Sequence, residues 1–187
     1  MTEEIELYLQ DAEEHMEKAI AHTVSEFNKI RAGKASPNML EGLMVMYYGN
    51  STPINQVATI NTPDARTLVI KPWEKSMIGE IEKAIINSDL GLNPQNDGEL
   101  VRLNIPPLTE ERRITLVKQA KNEAENGKIS IRNIRKDANE SIKKLLKDHV
   151  SEDEVKKGED AVQALTDKYT HKVDELLEKK EKEIMTV

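Results

Sequence analysis

The chain has 187 residues, 37% of them hydrophobic and 33% charged, with 8 Gly, 7 Pro and a formal net charge of -7. That composition excludes a disordered tail and a collagen-like fibre, and the length suffices for one sizeable domain or two small ones. Aromatic residues make up only 3%, with a single Trp and a single Phe, so the core is expected to be aliphatic and an aromatic-walled ligand pocket is not expected. The absence of cysteine removes disulfides, thiolate zinc sites and a catalytic thiol, and fits a reducing, cytoplasmic setting. Met1 to Gln10 carries three glutamates where a signal peptide would be basic and apolar, and no stretch approaches the roughly 18 apolar residues of a membrane span. An acidic total argues against general stickiness for nucleic acid, so the placement of the charges matters more than their sum.

Between Glu3 and Ile30 the residues Ile5, Leu9, Ala12, Met16, Ile20, Val24, Phe27 and Ile30 recur at spacings of 3 and 4, which predicts a helix burying one stripe. It ends near Arg31 to Pro37, where Gly33 permits a left-handed cap and Pro37 disfavours helix at Ser36. The pattern then changes. Leu43 to Tyr48, closed by Gly49-Asn50, followed by Ile54 to Ile60, Arg66 to Lys71 and the alternating Leu100 to Ile105, read as strands. Between them Ser76 to Ser88 places Ile78, Ile81, Ala84 and Ile85 on one helical face, with Gly91 as a stop. Pro106-Pro107 closes this mixed unit, and Thr109-Glu110-Glu111 opens a second long helix with acidic groups at the positive end of its dipole. Its stripe is Val117, Ala120, Ala124, Gly127, Ile131, Ile134, Ala138, Ile142 and Leu145, without proline before His149, a length of about 60 Å. Ser151-Glu152-Asp153-Glu154 is a capping box, with Val150 and Val155 placed as a hydrophobic staple. A third long helix then runs on Val155, Val162, Leu165, Tyr169, Val173, Leu176 and Ile184.

None of these helices can bury its stripe alone, so the expected fold is α+β: an elongated three-helix bundle of residues 1–31 and 107–187, interrupted by a small β/α domain over 32–106. An inserted domain is tied by two crossings, here Arg31 to Pro37 and Ile105 to Leu108, which suits a hinge; two rigid blocks with an immobile interface are the alternative.

Counted by segment, residues 1–31 carry 3 basic and 8 acidic groups, 32–108 carry 6 and 8, 109–149 carry 11 and 7, and 150–187 carry 7 and 11. Only the second long helix is basic. At about 100° per residue, Lys118, Lys121, Lys128, Arg132, Arg135, Lys136 and Lys143 share one arc beside the apolar stripe, interrupted by Glu125, while Glu123, Asp137, Glu140 and Asp148 lie on the far side. Such sorting suits a phosphate backbone, with Arg132 and Arg135 the strongest candidates because guanidinium can hold phosphate oxygens bidentately. It equally suits interhelical salt bridges to an acidic neighbour. A helical adaptor that binds another protein through the bundle is the alternative function. Enzyme signals are weak: no nucleotide loop or nucleophile elbow occurs, and His15 and His22 are two helical turns apart, too far to share a metal directly. No metal or cofactor is expected.

Seven strings carry a resemblance: Ile30-Arg31-Ala32-Gly33-Lys34-Ala35-Ser36-Pro37, Tyr47-Tyr48-Gly49, Pro53-Ile54-Asn55-Gln56, Glu82-Lys83-Ala84-Ile85, Ser88-Asp89-Leu90-Gly91-Leu92-Asn93-Pro94, Pro106-Pro107-Leu108-Thr109-Glu110-Glu111-Arg112-Arg113 and Arg132-Asn133-Ile134-Arg135-Lys136-Asp137-Ala138-Asn139. In this order and spacing the chain closely resembles the bacterial ribosome recycling factor family, end to end. The resemblance implies an L-shaped protein, with a bundle and a sandwich-like domain joined by a two-stranded hinge. It implies binding to the large-subunit RNA of the post-termination ribosome, and subunit splitting with elongation factor G and its GTP hydrolysis, so that messenger RNA and deacylated transfer RNA leave. The protein itself is then not an enzyme, works without cofactor or membrane, and is expected to be a monomer. The implied RNA contacts are Arg31, Lys128, Arg132 and Arg135, to which the ridge adds Lys121 and Lys136. The implied hinge is Ala32, Gly33, Lys34, Ala35 and Ser36 together with Ile105, Pro106 and Pro107. At positions 34, 128 and 136 the family often has Arg where this chain has Lys, which keeps the charge but not the bidentate geometry.

Overall fold

The computed structural model describes residues 1–30 and 33–186. The chain divides into two compact units, Met1–Ala32 with Glu110–Val187, and Gly33–Thr109.

In the first unit, helices α1 (Glu3–Lys29), α3 (Glu110–Lys144) and α4 (Glu152–Met185) pack pairwise into a bundle. Helix α3 is 35 residues long, about 52 Å at 1.5 Å per residue. Its α-helical part ends at Lys144, and the chain then tightens into a 3-10 turn at Leu145–Asp148 and stops at the predicted His149, which turns left-handed at φ 68°. Ser151 caps α4: its Oγ accepts from the Glu154 amide at 3.2 Å, and Val150 and Val155 pack into the same apolar cluster. Replacing Ser151 with Ala is expected to destabilise the bundle by about 1 kcal/mol. In thermal melts this should lower Tm by about 2–4 °C.

The buried faces depart from the predicted stripes by single residues. On α1 Thr23 is buried and Val24 only half-buried; on α3 Leu116 replaces Val117; on α4 Thr166 replaces Leu165. A buried threonine is tolerated because its hydroxyl finds a helix carbonyl: Thr23 donates to the Ala19 oxygen at 2.9 Å and Thr166 to the Val162 oxygen at 2.8 Å. Thr23 also meets Gly127, where an added Cβ would lie 2.5 Å from the hydroxyl oxygen. At the other end a Cβ on Gly158 would lie 2.9 Å from an Ile5 methyl and 3.2 Å from an Ile142 methyl. Two glycines therefore set how closely the helices approach. Tyr169 on α4 is buried with its hydroxyl donating toward Glu13 and Glu17 of α1 at 3.1 and 3.2 Å. Burial first, then the Glu13 carboxylate, holds its phenol well above the ordinary range.

The second unit contains β1 (Met44–Tyr47), β2 (Asn50–Pro53), β3 (Ala58–Asp64), β4 (Thr67–Pro72), α2 (Ile78–Ile86), β5 (Pro94–Asn96) and β6 (Val101–Asn104). β1 and β2 form a hairpin whose two turn residues, Tyr48 and Gly49, both have positive φ, the conformation that matches strand twist in a two-residue loop. The remaining strands make an antiparallel sheet in the order β3-β4-β6-β5. Helix α2 packs against β1, β5 and β6, and Ile78, Ile81 and Ile85 join Val45, Leu68, Ile70, Val101 and Leu103 in one aliphatic core. The predicted strand from Ile54 begins instead with a 3-10 turn, Ile54–Gln56, and pairs only from Ala58. Strands β2 and β5 carry too little apolar alternation to be predicted locally; cross-strand partners hold them.

Candidate functional site

Every expected RNA-contacting cation except Arg31 lies on α3 with the rest of the ridge, and the neighbouring helix sorts them into two groups. Lys121 Nζ approaches Glu181 of α4 at 4.0 Å, Lys143 approaches Glu159 at 3.4 Å, and Lys128 pairs closely with Asp174. These three belong to the seam between α3 and α4, as the salt-bridge reading of the ridge expects. Arg132 is different: its Nη2 donates to Glu125 on the same helix at 2.6 Å, and both side chains are 54% exposed. Arg135 and Lys136 are exposed, and among the described residues neither has a carboxylate within 4.0 Å, nor has Lys118. The ridge thus splits into a seam that ties helices together and an outer edge of exposed cations. Exposed ion pairs contribute only about 0–1 kcal/mol, so Arg132 can exchange Glu125 for another anion at little cost. Arg31 lies outside the described residues.

The two linker segments converge on one small turn. Asp64 orders the Ala65-Arg66 turn between β3 and β4, its carboxylate accepting from the Arg66 amide at 2.8 Å and the Thr67 hydroxyl at 3.0 Å. Those bonds hold the Asp64 carboxyl below its ordinary range, the Arg66 amide contributing most. The Ala35 amide donates to the Ala65 carbonyl at 2.7 Å, and the Ile105 amide donates to the Arg66 carbonyl at 2.8 Å. Ile105 is buried in the core of the small unit, Ala35 packs against that core, and Ser36 accepts from the Asn38 amide at 3.3 Å. Of the predicted hinge residues, Ala35, Ser36 and Ile105 are therefore bonded into the small unit. Lys34, Pro106 and Pro107 are exposed, and Ala32 lies outside the described residues. Gly33 has φ +72°, and a Cβ there would lie 2.6 Å from Leu108 Cγ. The two crossings touch at this point, and only glycine fits both the backbone and the space.

A third feature has little signal in the sequence. Met44, Met46, Tyr48 and Trp73 are large hydrophobic side chains left exposed on the small unit, and Met44, Ile60 and Trp73 line a groove of about 660 Å³. Trp73 is held in place by its indole N–H, which donates to Thr59 Oγ1 at 3.0 Å. The Tyr47 and Tyr48 hydroxyls donate to the two oxygens of Glu74 at 2.8 and 2.9 Å, and that carboxylate raises both phenol pKa values. The one available hint is the alternation of Met44 and Met46 about the buried Val45.

His15, considered as a metal ligand, sits on the surface with its Nδ1 2.7 Å from the Asp11 carbonyl. Among the described residues no group of three or more His, Asp or Glu is arranged to hold a metal ion, and no helix is long and apolar enough to cross a membrane.

Comparison with known proteins gives these features a context. The ribosome recycling factor family model matches residues 23–185. The ribosome-recycling factor of Amoebophilus asiaticus is 63% identical over 185 residues, covering 99% of this chain and 100% of the relative. That of Cytophaga hutchinsonii is 60% identical over the same extent. Among solved structures, a solution structure of a ribosome recycling factor is 40% identical with a TM-score of 0.77, covering 100% of both chains. A second, 45% identical with a TM-score of 0.62 and the same full coverage, describes the T. thermophilus ribosome recycling factor and the E. coli elongation factor G bound to the E. coli post-termination complex. With a helical bundle, a small antiparallel domain and matches that run end to end, this chain belongs to the ribosome recycling factor family.

Proposed function

We propose that this translation factor binds the post-termination ribosome through ribosomal RNA and, with elongation factor G and GTP, separates it into subunits, freeing messenger RNA and deacylated transfer RNA. The observation that carries this reading is the outer edge of α3, where an otherwise acidic chain exposes Arg135 and Lys136 without carboxylate partners among the described residues. Arg132 and Arg135 contact phosphate through their guanidinium forks, and Lys136 adds a point charge. Lys121 and Lys128 contribute from the seam by exchanging weak surface pairs for phosphate, and Arg31 is a further RNA contact. A relative described as bound to the post-termination complex supports the assignment.

The motion is assigned to a pivot narrower than the sequence suggests: Ala32, Gly33 and Lys34 on one crossing, Pro106 and Pro107 on the other. Ala35, Ser36 and Ile105 travel with the small unit because their bonds run into it. Elongation factor G acts on that unit, and the exposed Met44, Met46 and Trp73 form an apolar face suited to contact with another protein. The chain supplies no catalytic site of its own; the GTP is hydrolysed by its partner. It acts as a monomer in the cytoplasm.

Sedimentation of post-termination ribosomes tests this function. Free subunits are expected only when the chain, elongation factor G and GTP are all present. Intact ribosomes in the complete mixture would refute it. Binding is expected to weaken steeply with salt, because displaced counterions return to the RNA. Pairing of apolar helix faces, as in an adaptor, responds little to ionic strength.

A further inference from the structure

The ion pairs between α3 and α4 share one antiparallel register. From Lys121 to Lys128 is seven residues up α3, and from Glu181 to Asp174 is seven residues down α4. From Lys128 to Lys143 is fifteen up, and from Asp174 to Glu159 fifteen down. Seven residues beyond Lys128 stands Arg135, and seven below Asp174 stands Asp167, so the register places an arginine opposite an aspartate at the middle rung. That rung is unmade. Asp167 instead accepts a hydrogen bond from Gln163 Nε2, one turn away on α4, at 2.9 Å.

We propose that Gln163 is a positioning residue for ribosome contact: by holding the Asp167 carboxylate along α4, toward its own helix, it keeps Arg135 out of the α3–α4 salt-bridge ladder and available to phosphate. The proposal rests on the reading of Arg135 as an RNA contact. The two competing interactions are both weak and of similar size, one a Gln–Asp pair at i,i+4 on a helix and the other an exposed Arg–Asp ion pair. Removing the glutamine donor is therefore enough to tip the balance. The other exposed cations on this stretch of α4, Lys168, His171 and Lys172, are engaged elsewhere: Lys168 is paired with Glu13, His171 with Glu175, and Lys172 lies over the Tyr169 ring at 4.8 Å.

The test uses the full chain with Gln163→Leu, which retains bulk and helix propensity but has no donor. Its affinity for ribosomes is expected to fall about two- to fivefold. The double variant Gln163→Leu with Asp167→Asn should return to the original value, because the competing charge has gone. A double-mutant cycle between Arg135 and Asp167, read by thermal stability, reports the ladder independently of RNA. It should show no coupling with Gln163 present and favourable coupling in the Gln163→Leu background. Coupling that exists already with Gln163, or that fails to appear without it, overturns the proposal. If coupling appears but Arg135→Ala leaves ribosome affinity unchanged, the RNA role of Arg135 fails, and with it the positioning role.

Discussion

Replacing Arg132 and Arg135 together with alanine is expected to lower affinity for the ribosome at least about a hundredfold while leaving the fold intact. Each charge-assisted contact is worth about 1.5–3 kcal/mol, and two that add remove about 3–6 kcal/mol. Neither side chain supports the core. Arg135 is exposed without a carboxylate partner among the described residues, and Arg132 has only its exposed pair with Glu125, so the bundle loses about 0–1 kcal/mol. The loss should be concentrated at low salt, where the native chain binds tightest. The plot of log affinity against log salt should flatten by the share of two phosphates. Equilibrium binding over a salt series, with melting curves of the same variant, checks both halves. Undiminished affinity at low salt would remove the outer edge of α3 from the footprint. A large fall in Tm would return both arginines to a structural role.

At Gly33 a left-handed backbone and a crowded Cβ position coincide. Gly33→Val should still bind ribosomes, because the ridge on α3 is untouched, yet split them roughly tenfold more slowly, the rate cost of about 1.4 kcal/mol. A left-handed backbone costs a residue with a Cβ about 1–2 kcal/mol, and a β-branched one more. In addition, the new Cβ would overlap Leu108 Cγ at 2.6 Å. The linker must therefore leave its native path or displace its partner crossing, and either outcome changes the pivot. Leu108→Ala in the same chain removes the overlap but not the φ penalty, so the double variant should recover part of the rate. Ribosome binding and subunit splitting measured side by side separate the two effects. A Gly33→Val protein that splits ribosomes at the native rate would show that the pivot lies elsewhere.

Much of the bundle is legible in the amino-acid sequence. The 3- and 4-residue spacing of apolar side chains depends only on helix geometry, so all three long helices can be read directly, and the Ser151 cap with its staple can be placed to the residue. The sorted charge of the second long helix can be read too, because angular position on a helix follows from residue number. Strands without strong alternation cannot. Asn50–Pro53 and Pro94–Asn96 exist because Met44–Tyr47 and Val101–Asn104 offer them hydrogen-bonding partners.

Local choices are thus written along the chain itself: where helices start and stop, which stripe they bury to within a residue, and which one carries positive charge. Whatever depends on register between elements is settled only when the elements pack. Packing selects Thr23 over Val24 because Gly127 faces it, and it pairs Lys121, Lys128 and Lys143 with α4 carboxylates while leaving Arg135 out. It also ties Ala35 and Ile105 to one turn through backbone bonds to Ala65 and Arg66, a convergence that neither periodicity nor charge indicates. Periodicity reports a residue's angle on its own element, because that angle follows from local backbone geometry. The partner met at that angle is set by how far a second element, distant in the chain, has slid along the first.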